Sequence, residues 1–123
     1  MTAIAVVEDN ADNRLLIQAL LSDQYDLTEY ADGLSALHGI RRTLPDLILL
    51  DISLGGMDGV EVLQRLRADE VTDSIPAIAL TANVMSGDRE RFLKAGFDCY
   101  VTKPIVDERV LLDAIARLLD GAR

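Results

Sequence analysis

The sequence predicts an α/β fold of one domain built around a parallel sheet. Two observations carry that expectation. Short apolar runs alternate along the chain with longer amphipathic stretches, the order expected of βα units, and four of those runs each stop on a polar group. Ile4-Ala5-Val6-Val7 runs into Glu8-Asp9, Leu47-Ile48-Leu49-Leu50 into Asp51, Ile78-Ala79-Leu80 into Thr81, and Tyr100-Val101-Thr102 into Lys103-Pro104. Neighbouring parallel strands bring their carboxyl ends to one sheet edge, where open α/β folds hold their ligands. Fold and site are therefore predicted together.

Taken in order, strands are expected near 3–8, 25–30, 46–51, 77–81 and 98–102, with a helix after each. In 11–22, Leu15, Leu16, Ala19 and Leu20 recur at helical spacing behind Asn10 as N-cap. Residues 34–43 form a weaker helix; 58–68 carries Val62, Leu63 and Leu66 on one face behind Asp58 as cap. Residues 86–95 read as a largely solvated helix capped by Ser86, offering only Phe92, Leu93 and Ala95 to a core. The last helix, 107–119, repeats Leu111, Ala114, Ile115 and Leu118. Pro45 and Pro76 fall just before strands, where a missing N–H costs little.

A chain of 123 residues suits a single core, since a domain of this size buries roughly two-thirds of its extended surface. Hydrophobic residues make up 50% and charged residues 27%, which excludes wholesale disorder. The formal charge of −9 argues against a nucleic-acid surface, which needs clustered Lys and Arg. No apolar stretch is long enough to cross a bilayer and no signal-like segment opens the chain, so no membrane role and a cytoplasmic location are expected. Cys99 is the single cysteine, which leaves no disulfide framework and predicts a small packed residue in or beside the last strand.

The polar groups on the sheet edge impose an electrostatic problem. Two carboxylates about 4 Å apart repel by roughly 4 kcal/mol at an effective dielectric near 20, so Glu8, Asp9 and Asp51 need a compensating charge. Mg²⁺ meets it with oxygen ligands, retained waters and one or two carboxylates beside a phosphate group. Lys103 adds a second positive charge and Thr81 a hydroxyl. Together they describe a trap for a phosphoryl group with Asp51 as nucleophile. In Asp51-Ile-Ser-Leu-Gly-Gly-Met-Asp-Gly59 the glycines free the backbone to approach a ligand, and Ser53 is placed to offer a backbone carbonyl to a metal. His38, in the second helix and away from the strand ends, is expected to be a surface residue.

The constellation as a whole resembles the receiver domain of two-component response regulators. Its marks are Val6-Val7-Glu8-Asp9-Asn10, Pro45-Asp46-Leu47-Ile48-Leu49-Leu50-Asp51, Met57-Asp58-Gly59, Leu80-Thr81-Ala82-Asn83, Ala95-Gly96-Phe97-Asp98 and Tyr100-Val101-Thr102-Lys103-Pro104-Ile105. The resemblance covers essentially the whole chain. It implies a doubly wound five-stranded parallel sheet in order 2-1-3-4-5, flavodoxin-like and CheY-like, as one domain over residues 1–123. It implies Asp51 as phosphoryl acceptor, with Asp9 binding Mg²⁺ directly, Glu8 mainly through water, and Ser53 through its carbonyl. Thr81 and Lys103 would meet the phosphoryl oxygens, Tyr100 falls at an aromatic switch position, and Lys103-Pro104 is expected to be a cis peptide.

Two departures stand out. A proline common four residues after the acceptor is replaced by Gly55, followed by Gly56. The positions that tune phosphoryl loss hold Ser53 and Asn83, and neither is a carboxylate that would serve as general base for water.

The implied role is a signalling phosphoacceptor, not a conventional turnover enzyme. A histidine kinase or histidine phosphotransfer protein would serve as donor. A downstream protein or a second copy would be met through the face of 86–95, 98–102 and 107–119, where Arg89, Arg91, Lys94 and Arg109 concentrate positive charge. A degenerate receiver acting only as a binding module is the alternative, although Asp9, Asp51, Thr81 and Lys103 are all present. An aspartyl-phosphate phosphatase of the haloacid dehalogenase type would carry a second Asp two residues after its nucleophile, where this chain has Ser53. No glycine-rich nucleotide motif occurs. No output domain is expected after residue 119, so the chain is read as a free-standing regulator or a piece of a larger protein.

Overall fold

The computed structural model describes residues 2–54, 56–82, 88–103, 105 and 107–121. Five strands alternate with five helices: β1 (Ala3–Val7), α1 (Ala11–Leu21), β2 (Asp26–Tyr30), α2 (Gly33–Thr43), β3 (Leu47–Asp51), α3 (Gly59–Arg67), β4 (Ala77–Thr81), α4 (Asp88–Ala95), β5 (Cys99–Thr102) and α5 (Glu108–Gly121). The strands form one parallel sheet in the order β2-β1-β3-β4-β5, the predicted topology.

Strand alternation splits the interior into two layers. Ala5, Val7, Ile48, Leu50, Ala77 and Ala79 face Ala36 and Ile40 of α2, Val62, Leu63 and Leu66 of α3, and Phe92 of α4. Ile4, Val6, Leu47, Leu49, Ile78, Leu80 and Val101 face Ile17 and Leu21 of α1 and Leu111, Ala114 and Ile115 of α5. The central strands β3 and β4 are buried along their whole length, as a parallel sheet covered on both faces requires. Each fully buried Leu or Ile contributes about 1.5–3 kcal/mol of transfer free energy.

Two acidic residues secure the amino-terminal edge of the sheet. Asp46 Oδ2 accepts from the Ala3 N–H at 2.8 Å, and Asp98 Oδ2 accepts from the Ala77 N–H at 2.8 Å. Arg67, at the end of α3, donates to the carbonyls of Ile75 (2.6 Å) and Gly96 (3.0 Å) and reaches Asp98 at 3.5 Å. It ties α3, the start of β4 and the turn after α4 into one corner. Burial pushes its pKa down, against the pull of Asp98 and Asp73.

Two of the expected helix caps form, at Asn10 and Asp58. Asn10 Oδ1 accepts from Asp12 and Asn13 N–H groups, and Asp58 accepts from Glu61 N–H at 2.8 Å. Asp32 caps α2 through the Ser35 N–H.

The inward face of α1 differs from expectation. Leu15 is 63% exposed and Leu16 39%, whereas Ile17 and Leu21 are buried and Ala19 is exposed. The inner stripe runs through Asn13, Ile17, Leu20 and Leu21, and it opens with a polar residue because Asn13 donates to Glu8. In α4, Phe92 and Ala95 are buried as expected while Leu93 is 47% exposed, so this helix is anchored even more sparsely than the sequence suggests. Gly55, Asn83, Ser86 and the Lys103-Pro104 peptide expected to be cis fall on or include positions outside the described residues.

Candidate functional site

Register assembles the site. Val7 pairs with Leu50, Asp51 with Leu80, and Thr81 with Thr102, so Glu8, Asp51, Thr81 and Lys103 arrive on one sheet edge at consecutive strand ends. Carboxylate oxygens of Glu8, Asp9 and Asp51 lie within 4.8 Å of one another. Glu8 and Asp51 are buried to 0% and 2% exposure, and Thr81 to 5%. Asp9 is exposed, on the solvent side of the cluster.

Lys103 holds the two buried carboxylates together. Its Nζ lies 3.0 Å from Asp51 Oδ2 and 3.3 Å from Glu8 Oε2. Burial works against its charge, but the hydrogen bond and charge of Asp51, with those of Glu8, outweigh that and raise its pKa. Glu8 is also raised, first by burial and then by its contact with Asp51, with Asn13 and Lys103 pulling the other way. The second Asp51 oxygen, Oδ1, accepts from the Ser53 N–H at 3.0 Å. Ser53 is exposed.

The sequence reading missed the support beneath Glu8. Asn13 Nδ2 donates to Glu8 Oε1 at 2.9 Å, and an Arg14 guanidinium nitrogen donates to the Glu8 carbonyl at 2.7 Å. The available signal was Asn13 on the inner stripe of α1, one turn after Asn10, with Arg14 beside it. Gly59 was also undervalued. Its N–H donates to the Ile52 carbonyl at 2.9 Å; a Cβ there would overlap the Asp51 carbonyl oxygen and lie 2.8 Å from Ile52 Cα. Helix α3 therefore begins directly on the strand end that carries Asp51, an approach only glycine permits.

Tyr100 is half-buried on the sheet layer shared with α4, its ring 6.2 Å from that of Phe92. It pairs with Ala79, which places Thr81 diagonally across from it on the same face. His38 is exposed on α2, away from the cluster. Cys99 is half-buried at the start of β5 with its thiol pKa pushed up by burial, so it stays protonated.

Acidic groups at the carboxyl edge, one lysine between them and a glycine-seated helix beside them fit one family. Residues 4–116 match the response regulator receiver domain, and the chain belongs to that family of two-component signalling proteins. It is 42% identical over 117 residues to the response regulator PleD of Caulobacter vibrioides, covering 94% of this chain and 25% of that protein; the chain thus spans about a quarter of that relative's length. It is 41% identical over 104 residues to the polar-differentiation response regulator DivK of Brucella ovis, covering 84% of this chain and 85% of DivK. Among solved structures, the receiver domain of the sensor histidine kinase PA1611 of Pseudomonas aeruginosa PAO1, which has a magnesium ion coordinated in its active site cleft, superimposes with a TM-score of 0.88. The identity is 38%, over 97% of this chain and 98% of that one. The Glu8, Asp9 and Asp51 cluster has the hard oxygen chemistry that suits Mg²⁺.

Proposed function

We propose that residues 1–123 form a single receiver domain that takes a phosphoryl group onto Asp51 from a histidine kinase or histidine phosphotransfer protein, with Mg²⁺ required. The observation that carries this reading is Asp51 itself: a nearly buried carboxylate at a strand end, bonded to the Ser53 N–H and the Lys103 ammonium. In the transfer an Asp51 oxygen forms a bond to phosphorus as the P–N bond of the donor phosphohistidine breaks, and the departing imidazole takes up a proton. Glu8, Asp9, Asp51 and the Ser53 carbonyl would hold the ion. When bound, Mg²⁺ would supply positive charge against the carboxylates and the incoming phosphoryl oxygens.

The chain's own residues do the rest. Lys103 pairs with a phosphoryl oxygen in place of one of its present carboxylate contacts, and Asn13 fixes Glu8 so that the acidic cluster keeps its shape when charge arrives. Thr81 offers its hydroxyl to the same group. Positioning and charge neutralisation are the main contributions in phosphoryl transfer.

Output is proposed to pass through Thr81 to Tyr100 and α4, biasing a two-state switch. The partner surface is α4, β5 and α5, meeting a downstream protein or a second copy. Leu93 and Val110 are 47% and 55% exposed there, and a cleft of about 150 Å³ is lined by Phe92, Leu93, Cys99 and Tyr100. No helix among the described residues is long and apolar enough to cross a membrane.

The test is intact-mass measurement after incubation with a small acyl phosphate. One added phosphoryl group should appear with Mg²⁺ and be absent in EDTA and in Asp51→Ala. Equal labelling of Asp51→Ala refutes the assignment, and no labelling of the natural chain makes it a phosphorylation-independent binding module.

A further inference from the structure

On the far side of α3 from α4, helices α2 and α3 enclose an open groove of about 540 Å³. Half-buried Leu37 and buried Leu66 form its floor, and Leu34, 58% exposed, stands at its wall. Arg41 and Arg42 of α2 and Arg65 of α3 rim it, with Asp69 the one acidic lining residue. Three of the chain's 12 Lys and Arg thus gather around an apolar floor on a protein of net charge −9.

These arginines are unequally engaged. Arg41 is held by Asp69 at 2.7 Å. Arg65 reaches Glu61 only at 4.0 Å, with both side chains about half exposed, and Arg42 has no ion-pair partner among the described residues. Arg42 and Arg65 therefore present charge outward on opposite walls.

We propose that this groove docks an acidic amphipathic helix of a partner protein. Leucine-sized side chains would enter over Leu37 and Leu66, and carboxylates would meet Arg42 and Arg65, the helix-in-groove mode of recognition. Charge selects both partner and orientation. An acidic helix is repelled by most of a surface at −9 and attracted where positive charge gathers beside apolar surface, as it does at this groove. The groove lies at the far end of α3 from Gly59, the residue seated on the Asp51 carbonyl. This inference does not depend on Asp51 being a phosphoryl acceptor.

The probe is a fluorescent synthetic helix of about 18 residues, long enough to hold helical structure, with Leu on one face and Glu on the other, titrated into the full chain. Saturable binding is expected, with exchange protection in 34–42 and 65–72. The doubly reversed variant Arg42→Glu/Arg65→Glu, whose fold is checked by thermal unfolding, should bind at least about tenfold more weakly and should instead accept the peptide with Lys in place of Glu. Leu34→Ser should weaken binding of the original peptide.

The proposal is overturned by the absence of saturable binding, by equal binding to the reversed variant, or by equal binding of a peptide with Ser in place of Leu. Protection confined to α4, β5 and α5 also overturns it. So does a concentration-dependent dimer in sedimentation that is lost on Arg42→Glu, since the groove would then be filled by a second copy.

Discussion

Lys103→Met should cost the metal-free protein about 3 kcal/mol of stability, a typical loss when one partner of a buried charge group is removed. The side chain is 17% exposed and faces carboxylates that are 3% and 1% exposed. At 3.0 and 3.3 Å each attraction is about 5 kcal/mol at an effective dielectric near 20. The carboxylates, within 4.8 Å of each other, repel by about 3.5 kcal/mol on the same scale. Desolvating the ammonium takes back several kcal/mol and the carboxylate repulsion stands in both proteins, so the net loss falls well below the summed attractions, toward the usual cost of removing one partner of a buried charge group. Methionine keeps the apolar stem, so the change reports charge more than volume.

Urea unfolding in EDTA at several pH values is the assay. Glu8 is raised in the fold, so folding favours its protonated form: the cost of its charge is full above the raised value and shrinks as pH falls toward 4.5. Lys103 stays charged throughout this window; its raised pKa means that its contribution is complete below 10.5 and is lost only as pH rises through the folded value. The deficit of the variant should therefore be wide at pH 8 and narrow at pH 5. Saturating Mg²⁺ should stabilise the variant more than the natural chain, because a competing cation is gone. The same loss at both pH values, or greater Mg²⁺ stabilisation of the natural chain, would refute the reasoning.

Three further outcomes follow from single positions. Gly59→Ala should destabilise by about 1–3 kcal/mol through overpacking against the Asp51 carbonyl, and slow Asp51 labelling by acyl phosphate, since the helix must lift off the strand that carries the acceptor. Leu44 ends α2 in the left-handed region at φ 49° with its side chain 50% exposed, so Leu44→Gly should raise stability in urea by about 1 kcal/mol. The Asp32 carboxyl is lowered from 3.8 by the Ser35 N–H and hydroxyl, so its capping contribution is present above 3.8 and lost as pH falls through the depressed value. Carbon NMR titration should show Ser35→Ala moving that carboxyl back toward 3.8.

Much of the fold was legible because burial and period agree. Both layers pack on β3 and β4, whose short uninterrupted apolar runs suit strands covered on two faces, and α3 and α5 carry their apolar residues at helical spacing on one side. The α1 stripe misled for the same reason in reverse. Counting apolar residues selects Leu15 and Leu16, but the inner face starts with Asn13, whose amide serves Glu8, so the periodic signal is shifted around the helix by a polar residue that the site requires. Leu93 is exposed because α4 touches the core mainly through Phe92, stacked edge-on against Phe97; one aromatic residue suffices where a longer helix would need a stripe.

The site was legible at strand ends and opaque beneath them, and topology explains both. A parallel strand must stop somewhere, so a charge directly after an apolar run is already located in space before any contact is known. Side-chain parity then divides the group. Glu8, Asp51 and Lys103 continue the alternation that points toward α1 and α5, which is why one ammonium reaches both carboxylates. Thr81 and Tyr100 continue the opposite alternation, toward α4. A phosphoryl group on Asp51 would draw on both sides of the sheet edge at once: charge from the α1 side and a hydroxyl from the α4 side. Any displacement of Thr81 would be felt where α4 rests on few buried residues, and local stability is low where such contacts are few. The proposed switch therefore lies on the α4 face of the sheet edge, with the charged pairing kept on the opposite face.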